Sequence, residues 1–462
     1  MTDLPNPQTP ADPSSGLSFE RVLPIFALTF VDVLGLTVIL PLLHLYAVRF
    51  GASPVEIGLV AAAFPLAQLI GVPVMGALSD RYGRKPLLLI SQVTTCISFI
   101  MLGMAGSLWM VILSRVIDGL FGANIATAQA ALSDITTEEN RAQGLGLTGA
   151  AFGLGFIFGP VIALLALEFS DDLGVPAYIA AAYSFLSILL TVFAFKETLP
   201  ESKRGASGHG NVMTNAYRML LRPRIGLLLV LMFAQQVIFF GFESLLGLFT
   251  LNRLGLLGQG NAVIFVIVGV LLVGVQMRMI GRWTRKFGEA RVAQAALAML
   301  AVGLLLLANT PQQPHPLYVQ RVVQNELASM SVEDSTSSTE AMIGEISVEL
   351  PRDADRGFGG VLVTLLAIVP LSIGAGLIRP SLNSLMTRSV SSDDYGSVLG
   401  ASSAFVSAAN AVAPLLGGLL FQRFGALAPF AIGGIIMAAL CVVSVIALPA
   451  AHRSTAASPA MD

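Results

Sequence analysis

The 462-residue chain is 55% hydrophobic and only 12% charged, with a formal net charge of −2. Soluble domains carry about 25% charged residues, so this composition excludes an ordinary soluble enzyme, and the lack of a concentrated basic face excludes nucleic acid as a partner. Apolar runs of about 20 residues, the length needed to cross about 30 Å of hydrocarbon, predict a polytopic membrane protein instead.

Residues 1–21 lack the basic start and apolar core of a cleavable signal and are expected to form a disordered cytoplasmic tail. Apolar windows bounded by charge, Gly or Pro then predict spans near 22–47, 55–78, 86–106, 108–132, 142–167, 175–195, 225–251, 260–281, 290–308, 359–386, 397–421 and 426–448. Runs this long satisfy their backbone in lipid as helices. The predicted fold is all-α, with twelve transmembrane helices in two pseudo-symmetric six-helix bundles, 22–195 and 225–448. A linker at 196–224, with Gly205, Ser207 and Gly208, reads as flexible and cytoplasmic, and 449–462 as a second cytoplasmic tail. Placing both termini inside puts most of the 26 Lys and Arg in cytoplasmic segments, as the positive-inside rule requires of a multi-pass protein of the cell membrane.

An internal repeat supports the division. Gly76-Ala-Leu-Ser-Asp80-Arg81-Tyr-Gly83 returns as Gly281-Arg-Trp-Thr-Arg285-Lys286-Phe-Gly288 at a shift of 205, and Arg49-Phe50-Gly51 returns as Arg253-Leu254-Gly255 at a shift of 204. Gly159-Pro160 and Ala413-Pro414 are 254 apart, so the second half must contain an insertion of 49 residues. It lies at 310–357, a Ser/Thr-rich segment with eight acidic residues against three Arg, which the topology makes extracytoplasmic. A loop of that length is disordered, a small accessory fold, or a partner-binding element.

Intramembrane ionisable residues are costly and are functional candidates by default. Asp32 falls near the middle of the first span, where it either finds hydroxyl partners such as Thr29 or Thr37 or takes up a proton. Arg115 in the fourth span has Asp118 one turn away as its local partner and Asp32 as the more consequential one, since a proton and Arg115 would then compete for one carboxylate. Glu243 sits among Phe239, Phe240, Phe242 and Phe249, a setting that suits an amphipathic or cationic solute or a second proton site, although aromatic helices also face lipid. Gln235, Gln236, Arg379 and Asn383 are candidates for the same cavity, with helix packing as the alternative.

In the loop after the second span, Gly83 permits a sharp reversal, and Asp80 is placed to meet a helix N-terminus or an Arg across an interface. The fifth span reads Gly149-Ala-Ala-Phe-Gly153-Leu-Gly155-Phe-Ile-Phe-Gly159-Pro160, small residues that allow close helix approach with a Pro that bends the helix. The loop resembles the signature of the major facilitator superfamily, and the order Gly155, Gly159, Pro160 resembles the antiporter motif of its twelve-helix drug:proton exporters, tetracycline-efflux proteins in particular. That resemblance is detailed over residues 22–165, whereas the second half agrees mainly in architecture. It implies alternating access by two rocking bundles, with Gly76, Asp80, Arg81, Gly83, Arg84 and Asp134 as a cytoplasmic latch, and Asp32, Arg115 and Asp118 in proton coupling. Arg285 and Arg388 stand where the first copy has Asp80 and Asp134, so the second half is not expected to form the same latch. The resemblance departs at Ala163 and Leu164, where the antiporter motif has paired Gly, and no His in the eighth span or Asp in the ninth matches the tetracycline pumps.

His44, His209, His315 and His452 are scattered, Cys96 and Cys441 lie inside apolar runs, and no phosphate-binding loop occurs, so no enzyme, metal or cofactor is expected. The expectation is a monomeric, proton-coupled antiporter in the lipid bilayer that exports a small, partly apolar organic solute. The alternatives are a metabolite importer on the same scaffold or a non-transporting receptor that uses the insertion.

Overall fold

The computed structural model describes residues 19–136, 138–170, 172–204, 219–330, 349–390 and 395–447. The two expected tails therefore lie almost wholly outside the described residues, except that helix begins at Phe19. Twelve helices are long and apolar enough to cross a membrane, and the described residues contain no strand. They are α1 (Phe19–Ile39, continued by a 3-10 turn Leu40–Leu42 and a short helix Leu43–Val48), α2 (Pro54–Tyr82), α3 (Arg84–Gly103), α4 (Leu108–Phe121 with Asn124–Ile135), α5 (Glu138–Phe169) and α6 (Gly174–Phe193). The second set is α7 (Pro223–Leu254), α8 (Gly258–Gly274, a π turn Val275–Met279, and Ile280–Phe287), α9 (Glu289–Leu307), α10 (Gly359–Thr387), α11 (Tyr395–Phe424) and α12 (Ala428–Ala447). Several helices run past their apolar windows. The last turns of α8, Ile280–Phe287, bury no residue, because a helix needs lipid-compatible side chains only within the hydrocarbon.

The repeat is visible in the backbone. Gly83 and Gly288 have φ of 105° and 80°, and Gly51 and Gly255 have φ of 68° and 66°. These are the positions related by shifts of 205 and 204, and each ends a helix in a conformation that only Gly adopts cheaply. At the start of α2, Ser53 and Glu56 form a reciprocal capping box with Pro54 in the first turn, as the sequence order Ser-Pro-x-Glu requires. Where α4 breaks at Gly122, the Ser91 hydroxyl donates to the Phe121 carbonyl and accepts from the Ala123 N–H at 3.0 Å. A break inside hydrocarbon is tolerated only when freed backbone groups are satisfied in this way.

Within the first half α1 packs on α5 and α6, α3 on α4 and α6, and α2 on α4; within the second, α9 packs on α10 and α12, and α7 on α11. The halves join through α2 against α11 and α5 against α8. Their contact differs between the two ends of the molecule. At the end that carries the insertion, a Cβ on Gly58 would strike the Pro414 carbonyl, one on Gly418 would meet the Pro54 carbonyl, and Asn261 Nδ2 donates to the Pro41 carbonyl at 2.6 Å. At the end that carries the loops after α2 and α8, Gly76, Gly149, Gly274, Gly281 and Gly400 all face open space. The halves thus touch backbone to backbone at the insertion end, whereas at the other, called here the terminal end, these glycines have no neighbour within 4 Å of an added Cβ.

Of the 196–224 linker, Gly205, Ser207 and Gly208 lie outside the described residues; just before it Phe195 is buried against the first half, and near its start Leu199 is buried. The insertion folds locally in its described parts. Tyr318 is 1% exposed, covers Gly255 and donates to the Pro351 carbonyl at 3.0 Å. Arg253 and Asn252 at the end of α7 donate to the carbonyls of Thr310 and Glu349, so a short helix, Gln320–Met330, is carried on the second half.

Candidate functional site

Buried charge is concentrated inside the first half. Arg115 and Asp118 are 2% and 3% exposed and pair at 3.3 Å, from Arg115 Nη1 to Asp118 Oδ2. Thr95 Oγ1 on α3 donates to Asp118 Oδ1 at 2.8 Å, and the guanidinium lies 5.3 Å from the Phe99 ring centroid. Arg115 Nε and Nη2 are buried without a hydrogen-bond partner. Asp32 on α1 lies near Asp118, and its polar neighbours are Gln92 of α3 and Ser187 of α6. Those two bond to each other at 2.8 Å, while both Asp32 carboxylate oxygens are sealed from solvent and unpartnered. Thr29 and Thr37, the hydroxyls considered from sequence, donate instead to their own helix at Ile25 and Val33. The local Arg115–Asp118 pair is therefore formed here, and Asp32 stands beside it as an orphan acid.

The glycines of α5 hold α1 in place. A Cβ on Gly155 would enter Val33, and one on Gly159 would enter Thr37, so this face is pressed onto α1 just beyond Asp32. On the opposite face of α5, Gly269 of α8 closes on the Phe156 carbonyl and Val273 on Gly153. Small residues here let α5 touch both halves at once, as such spacing allows.

At the terminal end, Arg84 is the hub of the loop cluster. It pairs with Asp80 one turn before it and with Asp134 of α4 through Nε at 2.9 Å. Glu197, just past α6, accepts from the backbone N–H groups of Arg84 and Lys85, at 2.9 and 3.0 Å, and from those of Thr198 and Leu199. Burial works against its charge, but those four donors outweigh it and hold the Glu197 carboxyl below its ordinary range. Lys85 Nζ in turn donates to the carbonyls of Val192 and Phe195 at the end of α6. Nothing in the sequence marks Glu197, since the Arg84 and Lys85 amides that it accepts from are 113 and 112 residues away. Arg81 lies over the Tyr82 ring instead of joining the hub.

The second half keeps this pair with its polarity reversed. Arg388, at the repeat position of Asp134, binds Glu289, at that of Arg84, at 2.6 Å. The substituted bases thus do not abolish the contact; a compensating acid after Gly288 restores it.

The remaining candidates separate. Gln236 Nε2 donates to Asn410 of α11 at 2.8 Å and Asn383 accepts from Ser402 of α11 at 2.9 Å, so these two join helices of the second half, whereas Gln235 bonds within α7 to Met232 and Gln236. Arg379 makes no hydrogen bond or ion pair among the described residues. Glu243 lines a small cavity of about 40 Å³ between the halves together with His44, Ser244 and Asn261. No cluster of metal-ligating side chains occurs among the described residues.

Two pseudo-symmetric helical halves joined through α2 against α11 and α5 against α8, with charges buried between the helices of the first, have the layout of a secondary-transporter scaffold. The sequence pattern of the Major Facilitator Superfamily matches residues 25–324, and the chain belongs to that family. It is 32% identical to the class B tetracycline resistance protein of Escherichia coli over 266 residues, 57% of this chain and 66% of that protein. It is 24% identical to multidrug resistance protein 2 of Bacillus subtilis over 88% of this chain and 90% of the relative. Among solved structures it resembles the human organic anion transporter MFSD10, with a TM-score of 0.64 at 20% identity over 93% of this chain and the whole of that one. A nucleoside transporter, NupG, gives a TM-score of 0.68 at 12% identity over 92% of this chain and 98% of that one. Similarity at these identities concerns the fold.

Proposed function

We propose that the protein is a proton-coupled antiporter that exports a small, partly apolar organic solute, and that Asp32, Arg115 and Asp118 together carry its proton. The observation behind this reading is the charge balance of the buried cluster. Two buried carboxyl groups stand against one buried guanidinium: Asp118 pairs with Arg115, while both Asp32 oxygens, beside Gln92 and Ser187, are sealed without a hydrogen bond. An unpartnered buried carboxylate costs several kcal/mol, so the cluster is neutral when one proton is bound, and Asp32 is where it resides in this conformation. Departure of the proton leaves a carboxylate that competes with Asp118 for the free N–H groups of Arg115. That exchange re-pairs α1 with α4, and α5 follows α1 through its glycine face and carries the movement to α8. We read both termini as cytoplasmic from the distribution of Lys and Arg, and the conformation described as open to the cytoplasm. The drug-resistance relatives support export as the direction. One charge moved across about 100 mV supplies roughly 2.3 kcal/mol, enough to bias the cycle.

The test is transport by purified protein in vesicles, screened against lipophilic cations, antibiotics and metabolites. Asp32→Asn is expected to abolish accumulation driven by a pH gradient while solute-for-solute exchange persists. Unchanged pH-driven accumulation in that variant would remove Asp32 from the mechanism.

A further inference from the structure

His44 lies in the short helix that extends α1, is 4% exposed, and has no partner for Nε2. Its ring is seated on Gly247 of α7, where any side chain would strike the imidazole. The same cavity receives the Glu243 carboxylate of α7, which makes no hydrogen bond or ion pair among the described residues, and Asn261 of α8, whose Oδ1 is likewise unpartnered. Ser244 of α7, whose hydroxyl donates to the Gly241 carbonyl, also lines it, and the remaining walls are apolar, including Ile57, Phe240 and Phe265. The surrounding elements bring no other charge to His44. On α2, Glu56 is held in the Ser53 capping box; at the end of α5, Glu168 accepts from Gln259; on α1, Arg49 lies over the Phe50 ring. Asp32 is twelve residues away, about 18 Å along the helix.

We propose that this cavity is a second proton site, in which His44 of the first half and Glu243 of the second share one proton, and that the insertion end stays closed only while the pair carries no net charge. With one proton, the pair is either an imidazolium facing a carboxylate or two neutral groups, and the interface holds no unbalanced charge. With none, a lone carboxylate is enclosed by apolar walls; with two, a lone imidazolium is. Either is relieved by parting the halves and admitting water. The two groups titrate as a unit, so closure has a maximum at intermediate pH. The site rests on the rocking-bundle reading above, but not on Asp32.

Trp109 and Leu317 are 76% and 88% exposed and lie at the insertion end, one in each half. Spin labels on Trp109→Cys and Leu317→Cys, with Cys96 and Cys441 replaced by Ser and Asp32→Asn to remove that titration, report the separation of the halves in nanodiscs. The short-distance population is expected to peak at intermediate pH and fall on both sides. His44→Gln should leave an end that closes only as pH falls, Glu243→Gln one that closes only as pH rises, and the double variant should show no dependence on pH. His44→Asn repeats the first result should the Gln variant fold poorly. The same pH response in all these proteins, or loss of the same limb in both single variants, overturns the site. Solute exchange by the same proteins separates the two ideas: exchange with an unaltered pH response overturns the second proton site alone. A single distance at every pH together with no exchange overturns the rocking reading as well.

Discussion

Asp118 holds Arg115 from one turn away, and Asp32 waits beside them with no donor of its own. Removing one partner of a buried pair costs about 3–5 kcal/mol when the other charge is stranded. Asp118→Asn should therefore be destabilised, but by less than the Asp32→Asn/Asp118→Asn double variant, because Asp32 can take over Arg115 in the single variant and nothing can in the double. Thermal unfolding of the two variants checks this, and equal losses would show that Asp32 does not reach Arg115. Glu197 offers a contrasting carboxylate. Its folded form favours the charge, so its contribution is present above the ordinary carboxylate pKa of about 4.3 and is lost as pH falls through its lower folded value. Glu197→Gln should cost about 1 kcal/mol at neutral pH and nothing in strong acid, read as faster hydrogen exchange of the Arg84 and Lys85 amides. Asp32, Arg115 and Asp118 were legible as candidates because ionisable groups are rare in apolar runs. Which acid takes the guanidinium was not, because that depends on how α3 delivers Thr95 to Asp118.

Contacts between helices depend on glycines whose roles differ by position. Gly58 on α2 and Gly418 on α11 let the two halves touch backbone to backbone at the insertion end, whereas Gly76 on the same α2 faces open space at the other. Gly58→Leu should hold the insertion end apart, and Gly76→Leu should leave this conformation intact but obstruct closure of the terminal end. Both variants are expected to insert normally and to lose turnover by tenfold or more, with opposite shifts in labelling of cysteines placed at the two ends. Normal turnover in Gly76→Leu would show that the α2 face never meets the other half. The number and approximate position of the spans were legible because hydrocarbon thickness sets a minimum apolar length, whereas the helix ends that run past it were not. Their pairing was not, since lipid is as apolar as Leu and association is decided by shape.

Across the whole molecule, the second half differs from the first by a reversed ion pair and by an insertion. Tyr318 anchors that insertion over Gly255, and its truncation removes a buried aromatic, a change worth about 3–5 kcal/mol in a packed core. Tyr318→Ala should release the segment to limited proteolysis while the twelve spans keep their helical circular dichroism. Transport that survives this change would assign the insertion a role outside the cycle; transport lost with the helices intact would tie it to the closed end.

The sequence by itself determined the number of spans, the repeat and the acids to watch, because hydropathy, positive-φ glycines and the cost of buried charge act locally or over one helix. Tertiary structure alone decided that Glu289 answers Arg388, that Glu197 caps α3, and that His44, read as an isolated residue at a helix end, shares a cavity with Glu243 and Asn261. Those contacts join residues tens to hundreds of positions apart. Their energies depend on which groups are shut away from water together, and that is settled only when the helices pack.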